Sequence, residues 1–197
     1  MFGFTGYNPG LIMGVGRRRS QAGRTMQSLL KVFWDIALWR RGPRDLPSSP
    51  ALLGLVAALY VLTSVVQSWL IYGADLAVLR GLVDLGITAG VFWVCLAVSQ
   101  RRYRLTQTLT AALGTGVLLA LPMIAMLVVG RNEGPDGALS VVLSLLSLPL
   151  LIWYLFVVGH IVRLALEAPL FTGMAVAMTY FVLSYVALAQ LPQVAGG

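Results

Sequence analysis

Apolar residues along this chain fall into five long blocks, over residues 50–72, 76–99, 105–129, 138–161 and 169–191, separated by short polar stretches. About 20 apolar residues in helical form cross the hydrocarbon core of a bilayer. At about 1.5 Å per residue, each block is long enough to cross with some tilt. The pattern predicts five membrane-spanning helices. The first is expected to begin after Ser49 as N-cap, with Pro50 at the first helical position, where its missing N–H has no helical partner to lose. Between blocks lie the basic turn QRRYR, the loop GRNEGPDG and a short stretch with Arg163 and Glu167. Pro122 and Pro149 fall inside the third and fourth spans, where each removes a backbone donor and is expected to kink its helix.

Ahead of these blocks the period changes. In residues 26–41, MQSLLKVFWDIALWRR, the apolar positions Leu29, Leu30, Phe33, Ile36 and Ala37 recur at spacings of three and four, the helical period. Lys31, Asp35, Arg40 and Arg41 supply a polar side, and Trp34 and Trp39 suit the headgroup region. This segment is too short and too charged to span, so it is expected to lie in the cytoplasmic interface; docking on the protein's own spans is the alternative. Gly42 and Pro43 end it, and RGPRDLPSSP, with three prolines, is a stiff connector that completes the unit 26–49. Residues 1–25 are Gly-rich and aperiodic, with bases at Arg17, Arg18, Arg19 and Arg24. The charges follow the apolar part, the reverse of a secretory signal, so a flexible cytoplasmic tail is expected; Met26 offers an alternative start. Residues 192–197 form a short external tail. The expected class is all-α: a polytopic membrane bundle of five transmembrane helices over 50–191, plus an N-terminal interfacial amphipathic helix.

Composition agrees with this pattern. Of 197 residues, 58% are hydrophobic and 11% charged, where a soluble domain carries about 25% charge. That excludes an ordinary soluble enzyme, and it excludes a disordered chain, which needs low hydropathy and high charge. The formal charge is +7, and Lys31 is the only lysine among the 14 bases, a bias that suggests a bacterial, GC-rich source. Such a surplus on a soluble protein points to nucleic acid. Here the bases flank apolar blocks and no nucleic-acid module accompanies them, so anionic headgroups and membrane orientation explain them better. With the N-terminus inside, the cytoplasmic side holds the eight bases before residue 50, then Arg101, Arg102, Arg104 and Arg163; Arg80 and Arg131 lie outside. Twelve against two predicts a cytoplasmic N-terminus and an external C-terminus in the cell membrane. Arg17, Arg18, Arg19, Lys31, Arg40, Arg41, Arg101 and Arg102 are the candidates for holding anionic lipid or a partner.

Inside the blocks little can carry chemistry. Asp75, Arg80 and Asp84 form a polar set at the start of the second span. Arg80 and Asp84 share a helix face one turn apart. Asp84 lies about two turns into the hydrocarbon, where a lone charge costs at least a few kcal/mol, so a self-satisfying ion pair with Arg80 is expected, the alternative being a proton or ion site. His160, Arg163 and Glu167 share a face at the end of the fourth span, with His160 expected to cap its helix or meet a lipid phosphate. Cys95 is solitary, which excludes an intrachain disulfide and leaves a small buried apolar role. Ser140, Ser144 and Ser147 can bond across helices or back to their own turn. Gly86 and Gly90, Gly114 and Gly116, and Gly173 with Ala177 are close-approach positions for packing or dimerisation. No metal or cofactor motif occurs, and Ser144 and His160 are about 24 Å apart along one helix, so no catalytic pair forms and no enzymatic activity is expected.

The arrangement resembles the Yip1 family: a cytoplasmic N-terminal region, five closely spaced spans and an external C-terminus. LLIWYLFVVGHIVRLALEAPLFTGMAVAM is similar to that family's fourth-to-fifth span region, with Trp153, Tyr154 and Phe156 leading to Gly159 and a short polar turn. The likeness covers about residues 45–190 and is mainly topological. The acidic DLxGP-type motif of eukaryotic members is absent; RRGPRDLP has similar letters in another order. The resemblance implies a membrane adaptor without enzymatic activity, acting through other integral membrane proteins or its own copies. The function expected is that of a scaffold, adaptor or accessory subunit acting through helix packing and a basic cytoplasmic face. The competing expectation is a small transporter or channel component using Asp84, Arg80 and the kinked third and fourth spans.

Overall fold

A computed structural model describes residues 27–133 and 137–191. Helix α1 covers residues 27–37, and five long helices follow: α2 Pro50–Tyr72, α3 Ala77–Val98, α4 Leu105–Glu133, α5 Ala138–Leu166 and α6 Leu170–Ala189. Each of the five is long and apolar enough to cross a membrane. Short 3-10 turns at Pro43–Asp45 and Arg102–Arg104 complete the regular structure among the described residues. The chain is an all-α integral membrane protein. The segment with Arg17, Arg18 and Arg19, and residues 192–197, expected to form an external tail, lie outside the described residues.

Local chemistry sets the boundaries. At the start of α2, the Leu52 N–H donates to Ser49 Oγ at 3.3 Å, with Pro50 in the first turn. α5 and α6 are separated by only three residues: Glu167 closes α5 at φ 52°, and Pro169 caps α6. Pro122 and Pro149 each lie within one continuous helix. α1 is shorter than its sequence pattern: it ends at residue 37 rather than 41, because Trp39 turns the chain at φ 62°. That turn lays the Trp39 ring parallel to the His160 imidazole, with centroids 5.8 Å apart.

The five long helices pack as a ring, in which α2 touches α4, α4 touches α5, α5 touches α6, α6 touches α3 and α3 returns to α2. Close crossings occur where side chains are smallest. A Cβ on Gly173 of α6 would fall on the Gly159 carbonyl oxygen of α5 and lie 2.9 Å from Arg163 Cβ. A Cβ on Gly81 of α3 would lie 3.0 Å from Val65 Cγ2 and 3.3 Å from the Val61 carbonyl oxygen of α2. Gly86 and Gly90 differ: nothing lies within 4 Å of either Cβ position, so this pair faces outward and plays no part in packing within the chain.

α1 packs across one end of the ring. Phe33, Ile36 and Ala37 are buried, with the Phe33 ring filling the space that a side chain at Gly114 would take. Trp153 Nε1 donates to the Ala37 carbonyl at 3.0 Å. The opposite face of α1 leaves Leu30 and Trp34 exposed. Of the two alternatives read from the pattern, docking on the protein's own spans is the one these contacts show. The cover from α1 explains why residues 157–162 of α5 and 108–116 of α4 are buried on all sides, while the other half of α5 presents Val141, Leu145, Leu148 and Ile152 outward.

Candidate functional site

The far half of the ring, away from α1, is not filled. A cavity of about 370 Å³ runs down its interior and is lined by all five long helices, a size typical of small-molecule sites. From α2 come Tyr60, Thr63, Ser64, Gln67 and Ser68, a polar stripe at helical spacing. α3 contributes Arg80 and Asp84, α4 Gly116 and Met123, α5 Ser147 and Tyr154, and α6 Tyr180 and Ser184. Leu119, Leu150, Leu151 and Phe181 make the wall between these groups apolar.

At the inner end of the cavity, Tyr60 Oη donates to Asp84 Oδ2 at 2.6 Å. Tyr60 and Tyr180 hydroxyls are 3.2 Å apart, and Tyr180 and Tyr154 hydroxyls are again 3.2 Å apart. One hydrogen-bonded chain thus joins α3, α2, α6 and α5. Ser184 lies beside the same carboxylate, and Thr88 Oγ1 bonds back to the Asp84 carbonyl at 2.8 Å. The expected Arg80 side of the pair is arranged differently. The Arg80 guanidinium lies 4.3 Å from the centroid of the Tyr72 ring, toward the cavity mouth, and the hydrogen bond on Asp84 comes across helices from Tyr60. Gly116 leaves room for the Tyr60 ring, since a Cβ there would lie 2.9 Å from it.

The serines of α5 bond to their own helix: Ser140 Oγ to the Gly137 carbonyl at 2.7 Å, Ser144 Oγ to that of Ser140 at 2.8 Å and Ser147 Oγ to that of Ser144 at 2.6 Å. Thr108, Thr110 and Thr115 of α4 do the same. Such bonds give each hydroxyl proton an acceptor within a turn of its own residue.

The remaining sequence candidates are dispersed. His160 is buried against Trp39 rather than capping its helix, and its Nε2 has no hydrogen-bond partner among the described residues. Lys31 and Arg40 are exposed, Arg41 pairs with Asp35 at 3.3 Å, and Arg102 lies over the Trp93 ring at 5.3 Å. Arg101 joins a cluster at the α1 end: Glu167 receives Arg101 at 2.5 Å, Arg104 at 2.8 Å, and Arg44. The hydrogen bonds from Arg104 and then Arg101 hold the Glu167 carboxyl at a pKa of about 2, well below its ordinary 4.5. Cys95 is half-buried in α3. Among the described residues, no group of three or more His, Cys, Asp or Glu side chains converges on a metal position.

Sequence reasoning missed Tyr60, Tyr180, Ser184 and the polar stripe of α2. The stripe was visible as Tyr60, Thr63, Ser64, Gln67 and Ser68 at helical spacings inside an otherwise apolar block. Tyr180 and Ser184 carried no such signal, because only the ring of helices brings them to Tyr60 and Asp84. Compared with family models, with curated proteins and with solved structures, the chain matches none.

Proposed function

We propose that this membrane protein binds a small polar solute inside its five-helix ring and works as a small transporter or transporter subunit. One observation carries the reading: a cavity lined by every spanning helix, with the Asp84 carboxylate held at its inner end by Tyr60. Ionisable side chains at membrane depth are costly, and where they occur they face a bundle interior or a water-filled path and mark ion and substrate routes. The distribution of bases supports a cytoplasmic N-terminus, which puts the mouth near Tyr72 and Arg80 on the external side. The cluster of Arg44, Arg101 and Arg104 on Glu167 then lies on the cytoplasmic side and closes the opposite end of the ring.

The test is uptake by proteoliposomes of a labelled panel of amino acids, amines, organic acids and sugars, with Asp84→Asn as control. Accumulation of at least one solute by the wild type, and not by Asp84→Asn, supports transport. Uptake equal to that of empty liposomes across the panel overturns it.

A second reading, a non-enzymatic adaptor of the kind implied by the Yip1-like arrangement, is supported by the outward-facing pair Gly86 and Gly90, which leaves a close-approach face for a helix of another chain. Stoichiometric co-purification of another membrane protein in mild detergent, lost on Gly86→Leu, favours it; a lone chain removes its support.

A further inference from the structure

Building on the solute-binding reading, we propose that the cavity takes a small monovalent organic cation, a primary amine on a compact apolar body. Among the described residues, Asp84 is the one acidic side chain on the cavity wall, and it takes part in no ion pair. Arg80, a turn away on α3, is only 2% exposed and lies against the Tyr72 ring, so its guanidinium offers a ligand no open face. Asp84 is only partly buried, and it is the charged group that a solute in the cavity can reach.

The hydrogen-bond chain behind Asp84 has a direction. A phenol carries one proton. Tyr60 gives its own to Asp84, so in the contact between Tyr60 and Tyr180 the donor is Tyr180, and in that between Tyr180 and Tyr154 it is Tyr154. All three protons run toward the carboxylate, supplied by α2, α6 and α5. These are the surroundings of an anion: dipoles share its charge, with no cation in contact. A primary ammonium against the carboxylate supplies that cation. Its two further protons find oxygens on the same wall, where Ser64 lies one turn from Tyr60.

Charge also sets the limits of the site. Coulomb attraction falls with distance, so an ammonium touching Asp84 gains more from it than it loses to the Arg80 guanidinium a turn nearer the mouth. A second positive group on the same solute would extend toward that guanidinium, which disfavours diamines. An anion is repelled by the carboxylate itself. A neutral solute displaces the cavity water and leaves Asp84 without a counter-charge, which is costly at membrane depth. Leu119, Leu150, Leu151 and Phe181 suit an apolar body behind the amine.

The test is binding to the purified protein at neutral pH, read from the concentration dependence of its thermal midpoint. The probes are pentylamine, pentanol, pentanoate and 1,5-diaminopentane, one carbon chain bearing one cation, no charge, one anion or two cations. Pentylamine is expected to bind tenfold or more tightly than pentanol or pentanoate, and more tightly than the diamine. Asp84→Asn should bring pentylamine to the level of pentanol, and Asp84→Glu should retain most of the preference. Gel filtration of each variant separates lost binding from lost folding. If pentanol binds the wild type as tightly as pentylamine, or Asp84→Asn keeps the preference, the cation inference falls, while the solute-binding reading stands. Equal binding of the diamine overturns the limit to a single charge. If pentylamine does not bind, the inference is overturned, and the proteoliposome panel independently decides the wider reading.

Discussion

Asp84 shows how one side chain can be read correctly for position and incorrectly for partner. Its depth within an apolar block marks it as a costly charge, and the nearest base in sequence, Arg80, is the natural partner on a helix surface. The bond that forms instead comes from Tyr60, 24 positions earlier and on another helix. Cross-helix bonds of this kind in membranes contribute about 0.6 kcal/mol on average and up to about 1.7. A double-mutant cycle of Tyr60→Phe with Asp84→Asn is expected to give a coupling near the upper figure, because one partner is charged; a coupling indistinguishable from zero would show that the pair is positional only. Glu167 illustrates the same point outside the membrane. Its left-handed backbone, φ 52°, is uncommon for a side chain of this kind, and three arginines from two other segments hold it in place. Because its folded pKa lies near 2 and its ordinary value is 4.5, its contribution to stability is complete above about pH 4.5 and fades as pH falls toward 2. Thermal midpoints measured from pH 6 down to 2 should therefore decline in that window, and Glu167→Gln should flatten the decline.

At the level of elements, the small residues divide into two kinds that the sequence writes identically. Gly173 and Ala177 have the same spacing as Gly86 and Gly90, yet the first pair forms the α5–α6 crossing and the second faces outward. Overpacking a close contact costs about 1–3 kcal/mol. Gly173→Ala is expected to destabilise the protein by at least that much, since the new methyl meets a backbone carbonyl that cannot move aside. Gly86→Ala and Gly90→Ala should change stability by less than about 0.5 kcal/mol, measured by unfolding in detergent. Equal losses at both sites would mean that the α3 face is packed after all. The early end of α1 has a similar cause. Its periodicity continues to Arg41, but Trp39 gains a stacked imidazole by leaving the helix, a partner 121 positions away that no local pattern announces.

The whole molecule is a ring of five helices closed at one end by α1 and the Glu167 cluster, and open inside at the other. Its interior and its lipid face can be distinguished by water. In a Cys95→Ser background, cysteines at Ser64 and Gln67 should react with a water-soluble thiol reagent, and one at Leu62, exposed on the outer face of the same helix, should not. Reaction at all three positions, or at Leu62 alone, would contradict a hydrated interior. The number of spans, the start of α2 at Ser49, the class of fold and the polar stripe of α2 were legible in the chain, because hydropathy blocks and helix caps depend on residues within a few positions of one another. The same is true of Asp84 as a costly intramembrane charge. Which helices neighbour one another, which glycines meet a partner, and that Tyr60, Tyr154 and Tyr180 converge on Asp84 were decided only by tertiary structure. Those facts depend on how apolar helices rotate and pack against each other, and uniformly apolar sequences do not encode that rotation in their local pattern.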